Sequence, residues 1–425
     1  MTRVREAGSG KAGRVVLGTL AASSIVAICT SAQSRQPDSP IPPAFFGLHI
    51  HRGGAIPWPL APFGTLRLWD ANVVWPWVEP TQGKWHFEGL DALVKLAEEH
   101  HVQILLPLGR SPTWASARPG DPPAWVPGYA AEPRNIEDWR TYVRTVAARY
   151  KGRVRHYEIW NEPNARNFYT GTVEAMVNLV RVASQELKGV DSSNQVISPS
   201  AVADVGVPWF EEFLRKGGGQ YVDAIGFHFY VGSQPPEAMI PLIAKVRAVM
   251  AQYGVRDKPL WNTETGWPIE NHMKQESAPP PSPRALTDSD ASAYVARAYI
   301  LNWAGGVGRF YWYAWDNKLM GLTEADGVTP KRPAYAYAEV EKWLVGARMT
   351  SCAVDDHGIW IAHLTREKGY EGTILWHASG DTVFHLPVDW AVGRSRDLAG
   401  SQHTVAPAQD VEIGPSPILL EKVPK

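Results

Sequence analysis

The chain has 425 residues, 44% of them hydrophobic, and a formal net charge of −1. That length and apolar content suit one large core with a smaller domain beside it. Near-neutral charge excludes partners held mainly by electrostatics, such as nucleic acid or an acidic surface. Nineteen Trp and fifteen Tyr are many. Most such rings fill cores, but indoles also stack on the apolar faces of sugar rings.

The N-terminus reads as an export signal spanning residues 1–34. Arg3, Arg5, Lys11 and Arg14 form a basic start, "VVLGTLAASSIVAIC" an apolar stretch, and "TSAQS" offers small residues for cleavage. The apolar stretch is short for a membrane span, so the expected location is periplasmic or extracellular, with an uncleaved anchor as the alternative. Cys29 lies inside this segment. Cys352 is then the one cysteine of the mature chain, and the spacing predicts an inert buried thiol without a disulfide.

After a Pro-rich spacer, short apolar runs alternate with helical patterns. Eight runs read as strands: "FFGLHIH", "GTLRLWD", "VQILLPLG", "RVRHYEIWNEP", "QVISPSAV", "VDAIGFHFYV", "KPLWNTETGW" and "GRFYWYAWD". Between them, stretches such as "IEDWRTYVRTVAARYKG" and "TVEAMVNLVRVASQELKGV" repeat apolar residues every three or four positions, as helices do. Gly152, Gly189 and Gly254 are expected to cap three of them. No helix is evident between the first two strands. This alternation predicts an α/β fold, a (β/α)8 TIM barrel over residues 35–344. The absence of an early glycine-rich phosphate loop weighs against a doubly wound sheet. "SAPPPSPRA" after the seventh strand reads as a stiff rim loop. From about Val345, alternating runs such as "GIWIAHLTR" and "GTILWHA" predict a small β-sandwich over residues 345–425.

In such barrels the chemistry lies at the C-terminal strand ends. Glu162 ends the fourth strand in "HYEIWNEPN", and Glu264 ends the seventh in "WNTETGW". Arg67, His49 and His51, His228 and Tyr230, and Trp315 fall near the same rim. Side chains two apart share a strand face, so polar residues recur on one face of several strands. An interior serving structure alone would be Val, Ile and Leu. Two carboxylates projected toward one cleft suit glycoside hydrolysis: one protonates the leaving oxygen, and the other attacks the anomeric carbon or activates water. Asn161 beside the acid would bond the sugar 2-hydroxyl. Arg67 would keep a neighbouring carboxylate ionised, and Tyr230 would donate a hydrogen bond to it, whereas the acid needs a raised pKa. Trp114, Trp267 and Trp315 are candidates for sugar stacking, with rim packing as their structural alternative. For Glu162 the structural alternative is a helix-start carboxylate, for Glu264 a satisfied buried acid, and for Arg67 a buried pair with Asp70 or Glu79. Glu158 lies deeper on the same strand and is expected to be structural. No metal-ligand spacing, nucleotide loop or serine nucleophile elbow is present, so no cofactor or metal is expected.

"WNEPN" followed by "WNTETGW" resembles the clan A glycoside hydrolases. Within that clan the segments "FFGLHIHR", "GTLRLWD", "WPWVEPTQGKWHFEGLD", "SPTWAS", "YEIWNEPN", "GFHFY" and "ETGW" are most similar to family thirty-nine. The resemblance implies a retaining enzyme with Glu162 as acid/base, Asn161 as its partner and Glu264 as nucleophile. It also implies a poly- or oligosaccharide substrate. "GLHIHR" and "RLWD" are most similar to bacterial members that cut exopolysaccharide internally. An exo-acting β-xylosidase and a non-catalytic carbohydrate-binding matrix protein are the alternatives.

Overall fold

The structure, a computed structural model, describes residues 38–121, 126–273, 284–406 and 408–422. The expected export segment and most of the Pro-rich loop lie outside the described residues. Among the described residues no helix is long and apolar enough to cross a membrane.

Nine short strands build the first sheet: β1 (Phe46–His49), β2 (Thr65–Arg67), β3 (Gln103–Leu108), β4 (His156–Ile159), β5 (Gln195–Ile197), β6 (Ala201–Val202), β7 (Ile225–His228), β8 (Leu260–Thr265) and β9 (Val307–Trp312). Their spatial order is β5-β4-β3-β2-β1-β9-β8-β7-β6, and the paired neighbours run parallel. β5 and β6 are halves of one barrel strand, interrupted at Ser198–Ser200. Bridges from Ile197 to Ala224 and from Asn161 to Ser200 connect the two ends of the sheet through that strand. The fold is thus a (β/α)8 barrel, in which β7, β8 and β9 are the sixth, seventh and eighth barrel strands. All eight expected strand segments are present.

Helices α1 (Trp75–Val78) and α2 (Glu88–Glu99) follow β2, and α3 (Ile136–Arg149) and α4 (Val173–Val190) follow β3 and β4. Then come α5 (Ala203–Arg215), α6 (Met239–Gln252), α7 (Asp288–Ala304) and α8 (Arg332–Leu344). No helix joins β1 to β2. Helix α3 shows why these segments fold as they do: Trp139, Tyr142, Val143, Val146 and Ala147 form one buried stripe. Asn135 caps it, its side chain accepting from the Glu137 N–H. Thr172 and Thr287 cap α4 and α7 in the same way. Gly152 (φ 77°) and Gly254 (φ 72°) take the left-handed conformation just past α3 and α6. Gly189 does not: it lies inside α4, which runs on to Val190, so the expected cap there is corrected.

The barrel is filled from the bottom. Arg309 stacks 4.3 Å over Trp261 and bonds Gln103 (2.8 Å) and His156 (3.2 Å) at the N-terminal mouth. Above this plug lie Leu105, Ile197, Ala224, Trp261 and Tyr311 as an apolar layer. The polar side chains of the site stand above that layer, so the barrel has a floor rather than a pore.

Strand β10 (Arg348–Val354) begins the antiparallel part, followed by β11 (Ile359–Arg366), β12 (Tyr370–His377), β13 (Thr382–His385), β14 (Val392–Arg396), β15 (Gln402–Thr404), β16 (Asp410–Ile413) and β17 (Ile418–Lys422). Six strands form a sheet ordered β10-β11-β12-β17-β14-β15, and β13 pairs with β16. Alternation decides its packing. Ala362, Leu364, Ile374, Trp376 and Leu419 join the barrel's core, whereas Ile359, Leu375 and Leu420 face the β domain's own core. Trp376 donates its indole N–H to Glu237 of the barrel at 2.8 Å. Cys352, on β10, is half-buried rather than buried.

Candidate active site

The site grows from one buried arginine. Arg67, at the end of β2, has no exposed side-chain surface. Its Nε donates to Glu158 (2.6 Å), Nη1 to Glu264 (2.9 Å) and Nη2 to Asn161 (2.7 Å). Three strands, β2, β4 and β8, are thereby tied at one point. Beneath it, Glu158 also accepts from the Ser200 and Thr263 hydroxyls, the latter at 2.8 Å. This leaves Glu158 enclosed and paired, a structural acid. Gly226 makes room for the Ser200 hydroxyl: a Cβ there would lie 2.2 Å from Ser200 Oγ. The expected alternative for Arg67, pairing with Asp70 or Glu79, is not what forms.

The fourth strand ends in a way that simple alternation does not anticipate. Trp160 (φ 66°) and Glu162 (φ 43°) both take left-handed backbone conformations. Such positions cost non-glycine residues about 1–3 kcal/mol each and concentrate at functional sites. The consequence here is specific. Trp160 is turned into the core against Trp139 and Tyr169. Asn161 and Glu162, although adjacent, both reach the mouth. The Glu162 N–H is held by the Ser200 carbonyl at 2.9 Å.

The two acids meet there. Glu162 accepts or shares a hydrogen bond with His228 Nδ1 at 2.9 Å. Glu264 receives Arg67 on one oxygen and the Tyr230 hydroxyl (3.1 Å) on the other. An oxygen of each acid and a ring nitrogen of His228 lie within 4.8 Å of one another. That triangle is also a conceivable cation site, but the Arg67 guanidinium 2.9 Å from Glu264 already supplies the positive charge there. Burial pushes the Glu264 carboxyl up to about 7, opposed by His228 and Arg67 and aided by Glu162 and Asp70. The expectation that Arg67, with Tyr230, would keep this carboxylate ionised is corrected: desolvation is the larger effect. Arg67 and Tyr230 both donate to Glu264, which favours its charged form against that desolvation.

Two further histidines line the wall. His49 is buried, and its Nε2 bonds the Thr263 carbonyl at 3.0 Å. A carbonyl only accepts, so Nε2 carries the hydrogen. Burial, with Arg67 nearby, holds the His49 pKa well below its ordinary value, so the ring is neutral. Its Nδ1 and the Nε2 of His228 are buried and without a partner among the described residues. His51 is half-buried, 5.2 Å from the Tyr313 ring and 3.8 Å from Asp70.

The expectations for Trp267 and Trp315 are corrected. Trp267 (2% exposed) and Trp315 (3%) lie in the core. Trp267 packs on Tyr294 and Trp312 and donates to the Gln234 carbonyl. Trp315 fails because β9 ends at Trp312, so its alternation does not carry on to residue 315. Trp114 packs edge-on against Trp75 and donates to the Glu79 carbonyl. The residues missed are Tyr313 and Asp70. The Tyr313 hydroxyl donates to Asp70 at 2.8 Å, and its ring stands 5.0 Å from His49. Backbone closeness supports that position, since a Cβ on Gly266 would lie 2.1 Å from the Tyr313 carbonyl. "YWYAW" carried the signal, but it pointed equally to each of its aromatic residues.

Paired acids on the fourth and seventh strands of a (β/α)8 barrel, one cradled by Arg and Tyr and the other by His, set this protein among the clan A glycoside hydrolases. More narrowly, the chain belongs to glycosyl hydrolases family 39, whose family model matches residues 79–302. It is 33% identical over 111 residues to a β-xylosidase of Caldicellulosiruptor saccharolyticus, covering 24% of this chain and 22% of that protein. It is 37% identical over 84 residues to endo-1,4-β-xylanase 2 of Claviceps purpurea, covering 20% and 24%. The matches therefore span less than a quarter of either curated relative's length. A family 39 glycoside hydrolase from the gut symbiont Bacteroides cellulosilyticus WH2 has a similar fold, with TM-score 0.69 at 20% identity, over 91% of this chain and 81% of that one.

Proposed function

We propose that this protein is a retaining glycoside hydrolase that cleaves O-glycosidic bonds of a polysaccharide. The carrying observation is the approach of Glu162 and Glu264, oxygen to oxygen within 4.8 Å. Retaining enzymes hold their carboxyls about 5–5.5 Å apart, whereas inverting enzymes need roughly 6.5–9.5 Å to admit a water. In the first step Glu264 attacks the anomeric carbon while Glu162 gives its proton to the departing oxygen. A covalent glycosyl–enzyme results. Glu162, now ionised, takes a proton from water, the water oxygen bonds the anomeric carbon, and Glu264 is released. Arg67 and Tyr230 hold Glu264 in place for attack, His228 orients Glu162, and the free amide N–H of Asn161 faces the sugar.

For the substrate we favour internal cleavage of an exported bacterial exopolysaccharide. The segments "GLHIHR" and "RLWD" and the signal-like N-terminus support that reading, including a periplasmic or extracellular location. The similarity to a β-xylosidase supports the second reading, exo-acting removal of a terminal pentose. A third, a non-catalytic carbohydrate-binding protein, gives no reason for both acids and their supports to be intact. The test is hydrolysis of bacterial exopolysaccharides and aryl glycosides by the purified protein, with product lengths recorded. Internal cleavage gives a range of oligosaccharides, terminal cleavage gives monosaccharide, and Glu264→Gln abolishes either. Undiminished hydrolysis by Glu264→Gln would overturn the assignment.

A further inference from the structure

We propose that Asp70 determines glycone specificity, accepting hydrogen bonds from sugar hydroxyls and turning away glycones that carry a carboxylate. The inference rests on the glycosidase reading and extends it to the sugar held at the reaction centre.

Asp70 stands three residues beyond Arg67, just past the end of β2. Its side chain is 28% exposed, against 10% for Glu264 and none for Arg67, so a ligand can reach it. Only Oδ2 is engaged: it takes the Tyr313 hydroxyl at 2.8 Å and faces His51 Nε2 at 3.8 Å. Among the described residues nothing donates to Oδ1. Asp70 is close enough for its charge to act on Glu264, Arg67 and Tyr313. It therefore belongs to the same cavity wall as the proposed nucleophile.

The chemistry of that wall is one-sided. An ionised carboxylate only accepts hydrogen bonds. His49, 5.0 Å from the Tyr313 ring, adds no donor, because its single hydrogen goes to the Thr263 carbonyl. Groups that only accept select partners that donate, and sugar hydroxyls do. A uronic acid carboxylate cannot donate when ionised. It would also add a negative charge beside Asp70, Glu162 and Glu264. Arg67 does not offset it, since it is fully buried and its charge is already paired with Glu158 and Glu264. Arg110, stacked 4.5 Å over Trp69 and buried, lies within reach of Asp70's charge and is balanced by it.

The experiment compares 4-nitrophenyl β-glycosides in matched pairs, glucoside with glucuronide and galactoside with galacturonide, with the xyloside added. Wild-type protein should turn over neutral members and discriminate against uronides. Asp70→Asn keeps the shape and an acceptor for Tyr313 but loses the charge. It should lower kcat/KM on neutral glycones roughly 10- to 100-fold, chiefly through KM, and narrow the neutral-to-uronide ratio by at least about tenfold. Asp70→Ser carries the same expectation should the Asn variant fail to fold. Equal losses on both members of each pair, with kcat alone affected, would make Asp70 structural and overturn the proposal. So would a wild-type preference for uronides. If no glycoside and no polysaccharide is cleaved, the glycosidase reading has failed and this inference with it.

Discussion

Arg67 and Glu158 form an ion pair at 2.6 Å with no exposed side-chain surface on either partner. The same guanidinium reaches Glu264 and Asn161, so the alignment of the site and the stability of the barrel depend on one side chain. Arg67→Ala would strand a buried carboxylate, a change that typically costs about 3–5 kcal/mol. Denaturant unfolding should show that loss, together with activity below detection. Arg67→Lys restores charge but not the three-way fork, so it should recover stability more than turnover.

Stability should depend on pH through Glu264. Its folded carboxyl is raised to about 7 from the ordinary value of 4.5. The folded state therefore holds a proton that the unfolded state has released across that interval. Stability from this group is fully present below about pH 4.5 and is lost as pH rises through 7, by roughly 3 kcal/mol in all. Glu264→Gln, which does not titrate, should lack this slope. Unfolding free energies of the two proteins at pH 4.5 and pH 8 measure the difference. Parallel pH profiles would contradict the raised Glu264 carboxyl.

Glu162 should reveal itself through the leaving group. Glu162→Ala removes the proton donor but leaves the nucleophile, so aryl glycosides with acidic phenols should still form the glycosyl–enzyme. Alkyl glycosides should lose at least about 100-fold, within the range of general acid catalysis. Added azide should then restore turnover of the activated substrates and yield a glycosyl azide. His228→Ala should show a weaker form of the same leaving-group dependence, because it frees Glu162 from its 2.9 Å partner.

Much of this molecule was legible in its sequence, and the failures share a cause. The eight strand segments and the polar residues at their ends follow from alternation and helical spacing. Glu162, Asn161, Arg67, His228, Tyr230 and Glu264 converge because each sits at a strand end of one barrel. Alternation stops informing where the strand stops. Trp315 lies three residues past β9, and its ring turned into the core. Tyr313 and Asp70 each become intelligible only when the other is seen, since β2 and β9 meet through β1 and not along the chain. In the β domain, β14 and β15 carry Arg394, Arg396 and Gln402, and β10 is polar along much of its length. Such strands pack one face at most and show no apolar run to find.

The β domain should be thermodynamically linked to the barrel. Trp376 is fully buried between them and donates to Glu237. Trp376→Ala should cost about 3–5 kcal/mol, the range for deleting a buried aromatic side chain. Trp376→Phe should cost less, with Glu237 left short of a donor. Calorimetry should show one unfolding transition in the wild type. Two well-separated transitions would mean that the contact carries no coupling.

The most direct measurement is the anomeric configuration of the first-formed product, followed by proton NMR before mutarotation. Nucleophilic attack by Glu264 followed by water delivered through Glu162 inverts the anomeric centre twice, so the product should keep the configuration of the substrate. A product of opposite configuration would require a water between the two acids, and it would contradict the mechanism drawn from their 4.8 Å approach.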